Sequence, residues 1–281
     1  MQAEFLKNWK ELHPYVELLQ KKEVAHNLTI GIINANQDNP ERDPHLAVVF
    51  SREDEPVMLL LQSIDEQALL VVLAEITDLE LQECVTILAK EVKELPGIMG
   101  ELPYAEWFSV QYSQLVEKNS HLSVAQRIYQ LEHVQFPESV PGRLRLGQPD
   151  QEKLLIKWAL QFAEDAHVSL TEDEAHERVT RFLRERQIYV WEHQGELVSM
   201  AAATRPSKTN MNISFVFTPR EHRKKGYASA CVAAVSAKML EEGYQTLSLY
   251  TDLSNPTSNH IYQEIGFKHL LDSKLFHFKD V

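Results

Sequence analysis

The stretch from Asn212 to Glu242 constrains the fold more than any other. A strand-like run, Asn212–Thr218, ends in Thr-Pro. It passes through Arg223-Lys-Lys-Gly-Tyr-Ala228 and enters a helix with an apolar face, Tyr227–Glu242. A helix N-terminus presents unpaired N–H groups and a partial positive charge, so it attracts anions. Gly226 permits close backbone approach, and Ala228 keeps the next position small. Arg223, Lys224 and Lys225 add positive charge to a chain whose formal net charge is −13. Together these features suit a pyrophosphate. An ordinary helix start with a solvated basic turn would read the same in isolation, so the surrounding elements have to decide.

Those elements form two similar halves. The first half opens with apolar residues at helical spacing, Phe5, Trp9, Leu12, Val16 and Leu19, which predict one amphipathic helix. A second helix is expected over Asn27–Asn36, stopping before Asn39-Pro40. Strands Leu46–Phe50 and Val57–Gln62 flank a polar turn, and Leu69–Leu73 follows as a third strand. A helix over Leu79–Val92 is capped by Thr77 or Asp78. A short strand Ile98–Gly100, a helix Tyr104–Val116 and a long strand Leu122–Leu131 complete this half. Phe136–Gly142, with two prolines and a glycine, reads as the boundary, giving domains 1–136 and 137–281. The second half runs strand Arg143–Leu146, helices Gln151–Ala166 and Thr171–Arg186, and strands Ile188–Glu192, Leu197–Arg205 and Asn212–Thr218. Thr171 and Glu174 form a capping box. After the central helix come strand Thr246–Thr251, helix Thr257–Ile265 and a last strand, Phe267–Phe278. The two hairpins resemble each other, as expected of two copies of one α/β unit.

Length favours two modest domains, and composition narrows the chemistry. The acidic balance argues against a nucleic-acid partner. Two cysteines, Cys84 and Cys231, have no metal-ligand spacing and predict neither zinc nor a disulfide framework. His26, His45, His133, His167 and His176 are scattered, so no metal site is expected. Neither a signal segment nor a membrane-spanning run is evident, which predicts a cytoplasmic protein without a membrane partner. A Rossmann dinucleotide site fails, because no GxGxxG follows the first strand of a βαβ unit.

After strand Leu247–Thr251 the chain reads Asn255-Pro-Thr-Ser258, then Tyr262, then Gly266-Phe267. This order resembles the GNAT superfamily of N-acetyltransferases, whose first motif is Arg/Gln-x-x-Gly-x-Gly/Ala and whose second is Asn-x-x-Ala/Ser-x-x-x-Tyr-x-x-x-Gly-Phe. The first is matched by Arg223, Gly226 and Ala228, the second by Asn255, Ser258, Tyr262, Gly266 and Phe267. The resemblance extends over Arg143–Val281. The wording around Val198–Pro206 and Tyr250–Ser258 is similar to a bacterial subgroup with tandem GNAT-like architecture and no agreed substrate. One departure is an extra residue in Pro219-Arg-Glu-His222, which leaves open which amides of Phe215–Thr218 face a pantetheine arm.

The resemblance implies an α/β (α+β) fold of two tandem GNAT-like domains, each a mixed, mainly antiparallel sheet flanked by helices. It implies transfer of an acetyl group from acetyl-CoA directly to a primary amine of a small molecule or peptide. Val216, Phe217 and Thr218 would meet the acyl arm. Arg223, Lys224, Lys225, Gly226, Tyr227, Ala228 and Ser229 would hold the pyrophosphate, and Asn255 and Ser258 would lie near the pantetheine. Tyr262 is nominated as general acid for the leaving thiolate, since a phenol and a thiol have unperturbed pKa values of about 10 and about 8.5. For the base, Asp252 is the first candidate; Glu192, Ser214, Ser199 or ordered water are others. The first half has Ala74–Glu80 where a phosphate loop would stand, with carboxylates and no glycine. It is therefore expected to be a degenerate copy without a cofactor, walling one side of the acceptor site. A non-catalytic acyl-CoA sensor or scaffold is the competing reading. The protein is expected to be a monomer or homodimer, and the fold leaves acceptor and acyl length open.

Overall fold

The computed structural model describes residues 1–37, 43–166 and 168–280. Asn39-Pro40 and His167 lie outside the described residues. Contacts divide the chain into two compact units, Met1–Ile128 with Leu270–Val281, and Tyr129–His269.

The first unit begins with β1 (Gln2–Phe5) and two short helices, α1 (Trp9–Leu12) and α2 (Val16–Leu19), each followed by a 3-10 turn. The single helix expected from Phe5 onward is thus not formed. Phe5 pairs with Val48 in a strand. Pro14, which has no N–H to donate, sits in the first of the 3-10 turns. Trp9, Leu12, Val16 and Leu19 are nonetheless buried, as their spacing required. Then follow α3 (Asn27–Asn36), β2 (Leu46–Arg52), β3 (Glu55–Gln62), β4 (Ala68–Val72), α4 (Asp78–Glu91), β5 (Gly97–Glu101), α5 (Tyr104–Leu115) and β6 (Lys118–Leu131). The second half supplies β7 (Arg143–Leu146), α6 (Glu152–Asp165), α7 (Glu172–Arg184), β8 (Ile188–His193), β9 (Glu196–Thr204), β10 (Asn210–Phe217), α8 (Tyr227–Glu241), β11 (Thr246–Asp252), α9 (Pro256–Ile265) and β12 (Lys268–Asp280).

Strand order in the first unit runs β1-β2-β3-β4-β5, and in the second β7-β8-β9-β10-β11. Each run is antiparallel except for its final pair, β4 with β5 and β10 with β11. The two halves therefore repeat one architecture. Both faces of each sheet are covered. In the first unit Val48, Phe50, Met58 and Leu60 pack with α4 and α5, whereas Val49, Leu59 and Leu61 pack with residues of α1–α3. Burial on both sides is why these strands read as continuous apolar runs rather than alternating ones. In the second unit α6 and α7 cover one face and α8 with α9 the other.

The division of the units departs from the sequence order at two places. Although β12 follows the second half, its residues from Leu270 onward belong to the first unit and pair with β5, Phe276 opposite Ile98. Phe276 and Phe278 enter the core beside α4 and α5. Conversely, Tyr129 and Leu131 at the end of β6 are buried in the core of the second unit. The division thus falls between Ile128 and Tyr129, upstream of the Pro-rich segment at 136–142.

Beneath β4 of the first unit, His26 is buried. Its Nδ1 lies 3.1 Å from the Leu19 carbonyl, and its Nε2 has no hydrogen-bond partner among the described residues. Burial holds its pKa down at about 4. The unfolded chain takes up this proton near pH 6.5 but the folded chain does not. Stability is therefore fully present above pH 6.5 and falls as the pH drops towards 4, by roughly 3 kcal/mol. Urea unfolding of the unaltered chain and of His26→Leu across this range should show that loss in the former and a shallower one in the latter.

Candidate functional site

The site is built around the parting of β10 and β11. Their parallel register holds for Asn210↔Thr246, Met211↔Leu247 and Asn212↔Ser248, and then stops, although β10 continues to Phe217 and β11 to Asp252. Buried side chains pin the paired end. Asn212 Nδ2 donates to the Ser248 carbonyl at 3.1 Å, and Ser248 Oγ donates to Asn210 Oδ1 at 2.9 Å. Arg205 reaches across to Asn212 Oδ1 at 2.5 Å and lies over the Tyr250 ring. The other end is forced open by a bulge. Phe215 has φ 51°, in the left-handed region, and the pairing of β10 with β9 shifts between Ser214 and Phe217. A bulge takes residues out of the ladder and bends its strand. Phe215 and Val216 are the residues displaced here. Ser199 secures the far side by donating to the Phe217 carbonyl at 3.0 Å, with the Thr218 hydroxyl 2.9 Å away.

Beyond β10 the chain makes a single 3-10 turn, Arg220–His222, before α8. Gly226 is the residue before the first turn of α8, with φ 78°, and no side chain caps the helix. Among the described residues, then, no side chain competes for the leading amides of α8, Tyr227, Ala228 and Ser229. The first turn also holds no acidic residue. A long, uncapped helix start of this kind is a site for an anion. The loop's own cations are mostly engaged. Arg223 Nε donates to the Thr218 carbonyl at 2.9 Å, its other end pairs with Asp165 at the end of α6, and it lies over the Phe217 ring. Lys225 Nζ donates to the Glu221 carbonyl at 3.1 Å. Lys224, exposed and with φ 61°, follows Arg223 in the loop.

Across the gap, Asp252 ends β11 in an exposed turn, where its Oδ1 accepts the Ser254 amide at 2.7 Å. Asn255 caps α9, its Oδ1 accepting the Ser258 amide at 3.1 Å. Tyr262 is buried within α9, edge-on to Phe267, and shares a core with Tyr129 and Leu131. Burial pushes its phenol up to about 12. Two alternative base candidates are committed elsewhere. Glu192 is clasped by Arg143 and Arg145, which hold its carboxyl below the usual range. Ser214 is hydrogen-bonded to Thr204 at 2.9 Å. Sequence reasoning missed Asp165 and the Asn210–Asn212–Ser248 pin, and it offered Ser199 as a proton relay, whereas that hydroxyl is engaged with Phe217 and Thr218. Each acts through a partner distant in the chain, and no local pattern signals it. Among the described residues no group of His, Cys, Asp and Glu side chains could hold a metal ion, and no helix is long and apolar enough to cross a membrane.

A parted parallel pair, a bulged strand and an uncapped helix start thus occur together in the stretch that matches a family model. Residues 153–267 match the Acetyltransferase (GNAT) family. They form a GNAT acetyltransferase domain. Among curated proteins, none matches the sequence significantly. Solved structures share the fold over nearly the whole chain. A GNAT-family acetyltransferase from Colwellia psychrerythraea is 13% identical, with a TM-score of 0.65 over 99% of this chain and 100% of that one. A GCN5-related N-acetyltransferase from Sphaerobacter thermophilus is 11% identical, with a TM-score of 0.64 over 98% and 95%. A tandem GNAT protein from the clavulanic acid biosynthesis pathway is 12% identical, with a TM-score of 0.55 over 98% of each chain. The chain accordingly shares the fold of these proteins, the tandem GNAT protein among them, with the family match in its second half.

The GNAT loop depends on Gly226 for two separable reasons. Its φ costs any other residue about 1–2 kcal/mol, and an added Cβ would stand 2.8 Å from Val140 Cγ2. Gly226→Ala should lower unfolding free energy by at least that conformational cost. Adding Val140→Ala should recover the steric part and leave the conformational part, as a double-mutant cycle by urea unfolding would show.

Proposed function

We propose that this protein transfers an acetyl group from acetyl-CoA to a primary amine, using the second domain. The observation that carries the reading is the uncapped start of α8 beside the bulged end of β10, at the open end of the β10–β11 pair. The chain's groups fit an acyl-CoA. The amides of Tyr227, Ala228 and Ser229 would receive the pyrophosphate, helped by the helix dipole and Lys224. Amides of Val216, Phe217 and Thr218, at and just beyond the bulge, would orient the acyl arm and polarise its carbonyl. Asn255 and Ser258 would border the arm from the α9 side through the turn they form. The thioester supplies an activated acyl carbon, so the chain has only to position it and manage two protons.

For the outgoing sulfur we assign the proton to Tyr262 Oη. The match of a phenol near 10 with a thiol near 8.5 holds in water. In the folded chain burial moves the phenol to about 12. The same burial acts on thiols, since Cys231, in the same core, is also pushed up to about 12. A sulfur desolvated beside Tyr262 would shift in the same direction as the phenol. The incoming amine must lose a proton. Asp252, at the end of β11, is the nearest candidate on that side, with Oδ2 left to act after Oδ1 holds its turn. Ordered water is the alternative.

The first domain is proposed to bind no acyl-CoA. Its equivalent helix, α4, starts with a complete capping box, Glu80 accepting from Thr77 N at 2.9 Å and Thr77 accepting from Glu80 N. Asp78 and Glu80 place negative charge in that first turn. Arg52 is bound to Glu80, whose carboxyl it holds at about 2. Nor does β4 have an open end like that of β10: it stops at Val72, soon after its last pairing with β5 at Leu70.

Calorimetric titration with CoA should give one site per chain, lost in Gly226→Glu; two sites, or undiminished binding in the variant, would contradict the assignment. With a responsive amine in hand, Tyr262→Phe should lower kcat by about ten- to a thousandfold while affinity for acetyl-CoA changes little. Because the phenol stays protonated to about pH 12, activity should not fall near pH 10 through this group. An alkaline limb at pH 10 that disappears in Tyr262→Phe would contradict the raised pKa while keeping Tyr262 as the acid; unchanged kcat in Tyr262→Phe would overturn the assignment.

A further inference from the structure

We propose that Asp165 is a positioning residue for acyl-CoA, holding the loop before α8 in the form that presents its amides; this rests on the function proposed above. Asp165 is the last residue of α6. A carboxylate there faces the negative end of its own helix and is out of place by the helix dipole alone. Two guanidiniums compensate. Arg223 pairs with Asp165 Oδ2, and Arg220 stands 3.6 Å from Oδ1. These arginines bracket the 3-10 turn that carries β10 into α8. Arg223 simultaneously donates Nε to the Thr218 carbonyl at 2.9 Å and lies over Phe217. One guanidinium therefore joins three parts: the end of α6, the end of the bulged strand, and the loop that leads to Gly226.

This placement changes the role that Arg223 takes from its motif position. A guanidinium can use its planar fork on two acceptors at once. Here the fork is spent on Thr218 and Asp165, both fixed to the protein. Arg223 then acts on the anion through the shape of the loop, by keeping Thr218 and the α8 amides at a set separation. Two consequences of opposite sign can be told apart. If Asp165 braces the loop, removing its charge loosens the amides and weakens binding. If Asp165 merely occupies a place meant for phosphate, removing it frees Arg223 and strengthens binding.

The test is CoA titration by calorimetry on the full chain, paired with amide hydrogen exchange of residues 219–229 without ligand. Asp165→Asn should weaken CoA about fivefold or more, a loss of roughly 1 kcal/mol or more, and speed exchange in that loop. Asp165→Glu, which keeps the charge on a longer arm, should recover most of both. Combining Asp165→Asn with Arg223→Gln should cost little beyond the worse single change, since both break one link. Unchanged or tighter binding in Asp165→Asn, or no rescue by Asp165→Glu, overturns the role of Asp165 while leaving the function standing. Absence of CoA binding by the unaltered protein overturns both.

Discussion

The second domain turns on one broken interaction, the parallel pairing of β10 with β11. For three residue pairs the ladder is intact and reinforced by buried asparagine and serine side chains. Past Asn212 it is given up. Leaving backbone groups unpaired beside a sheet is costly unless something takes their place. The structure supports that cost locally, with a left-handed Phe215, a Ser199 hydroxyl on the Phe217 carbonyl, and Arg223 on the Thr218 carbonyl. The Phe217 and Thr218 carbonyls are thereby satisfied by the protein, and the leading N–H groups of α8 are left without a side-chain cap. Such a surface favours ligands rich in acceptors, as carbonyls and phosphates are.

Comparison of the two domains gives the same conclusion from the opposite direction. Both have a parallel pair whose strands are joined through a helix, α4 or α8. The helix starts differ by a few side chains. Thr77 and Glu80 close one with their own hydrogen bonds and negative charge, whereas Gly226 leaves the other open. The closed form is what helix stability alone favours. The open form forgoes that gain and also places a non-glycine, Lys224, at positive φ just before it. Strain of this kind collects at functional sites, and among the described residues just before α4 no non-glycine has a positive φ.

How much of this was legible from sequence depends on the range of the interaction. The capping box of Thr171 and Glu174, the glycine before α8 and the span of α3 are local, and residues within four positions determine them. The buried strands were legible because two covered faces demand uninterrupted apolar residues. The first helix was misread because Trp9, Leu12, Val16 and Leu19 keep helical spacing through a segment that Pro14 interrupts. Phe5 had the right hydrophobicity and the wrong partner, a strand more than forty residues on. At the site, the motif residues were readable, but their division of labour was not. Nothing local shows that Arg223 is engaged by Asp165, that Glu192 is neutralised by two arginines, or that Ser199 holds a strand end. Each depends on the register of strands or the packing of helices that a single sequence leaves implicit.

The position of β12 bears on how such a chain comes into being. Its residues fill the place beside β5 and contribute Phe276 and Phe278 to the core that α4 and α5 cover. During synthesis, everything else in that unit emerges long before those residues do. Until then β5 offers an unpaired edge, and the core beneath it lacks two aromatic side chains. Exposed edges invite pairing with other chains, and contacts between residues far apart in sequence form slowly. The first unit is therefore completed only after translation has passed through the second, so the half made first is finished last.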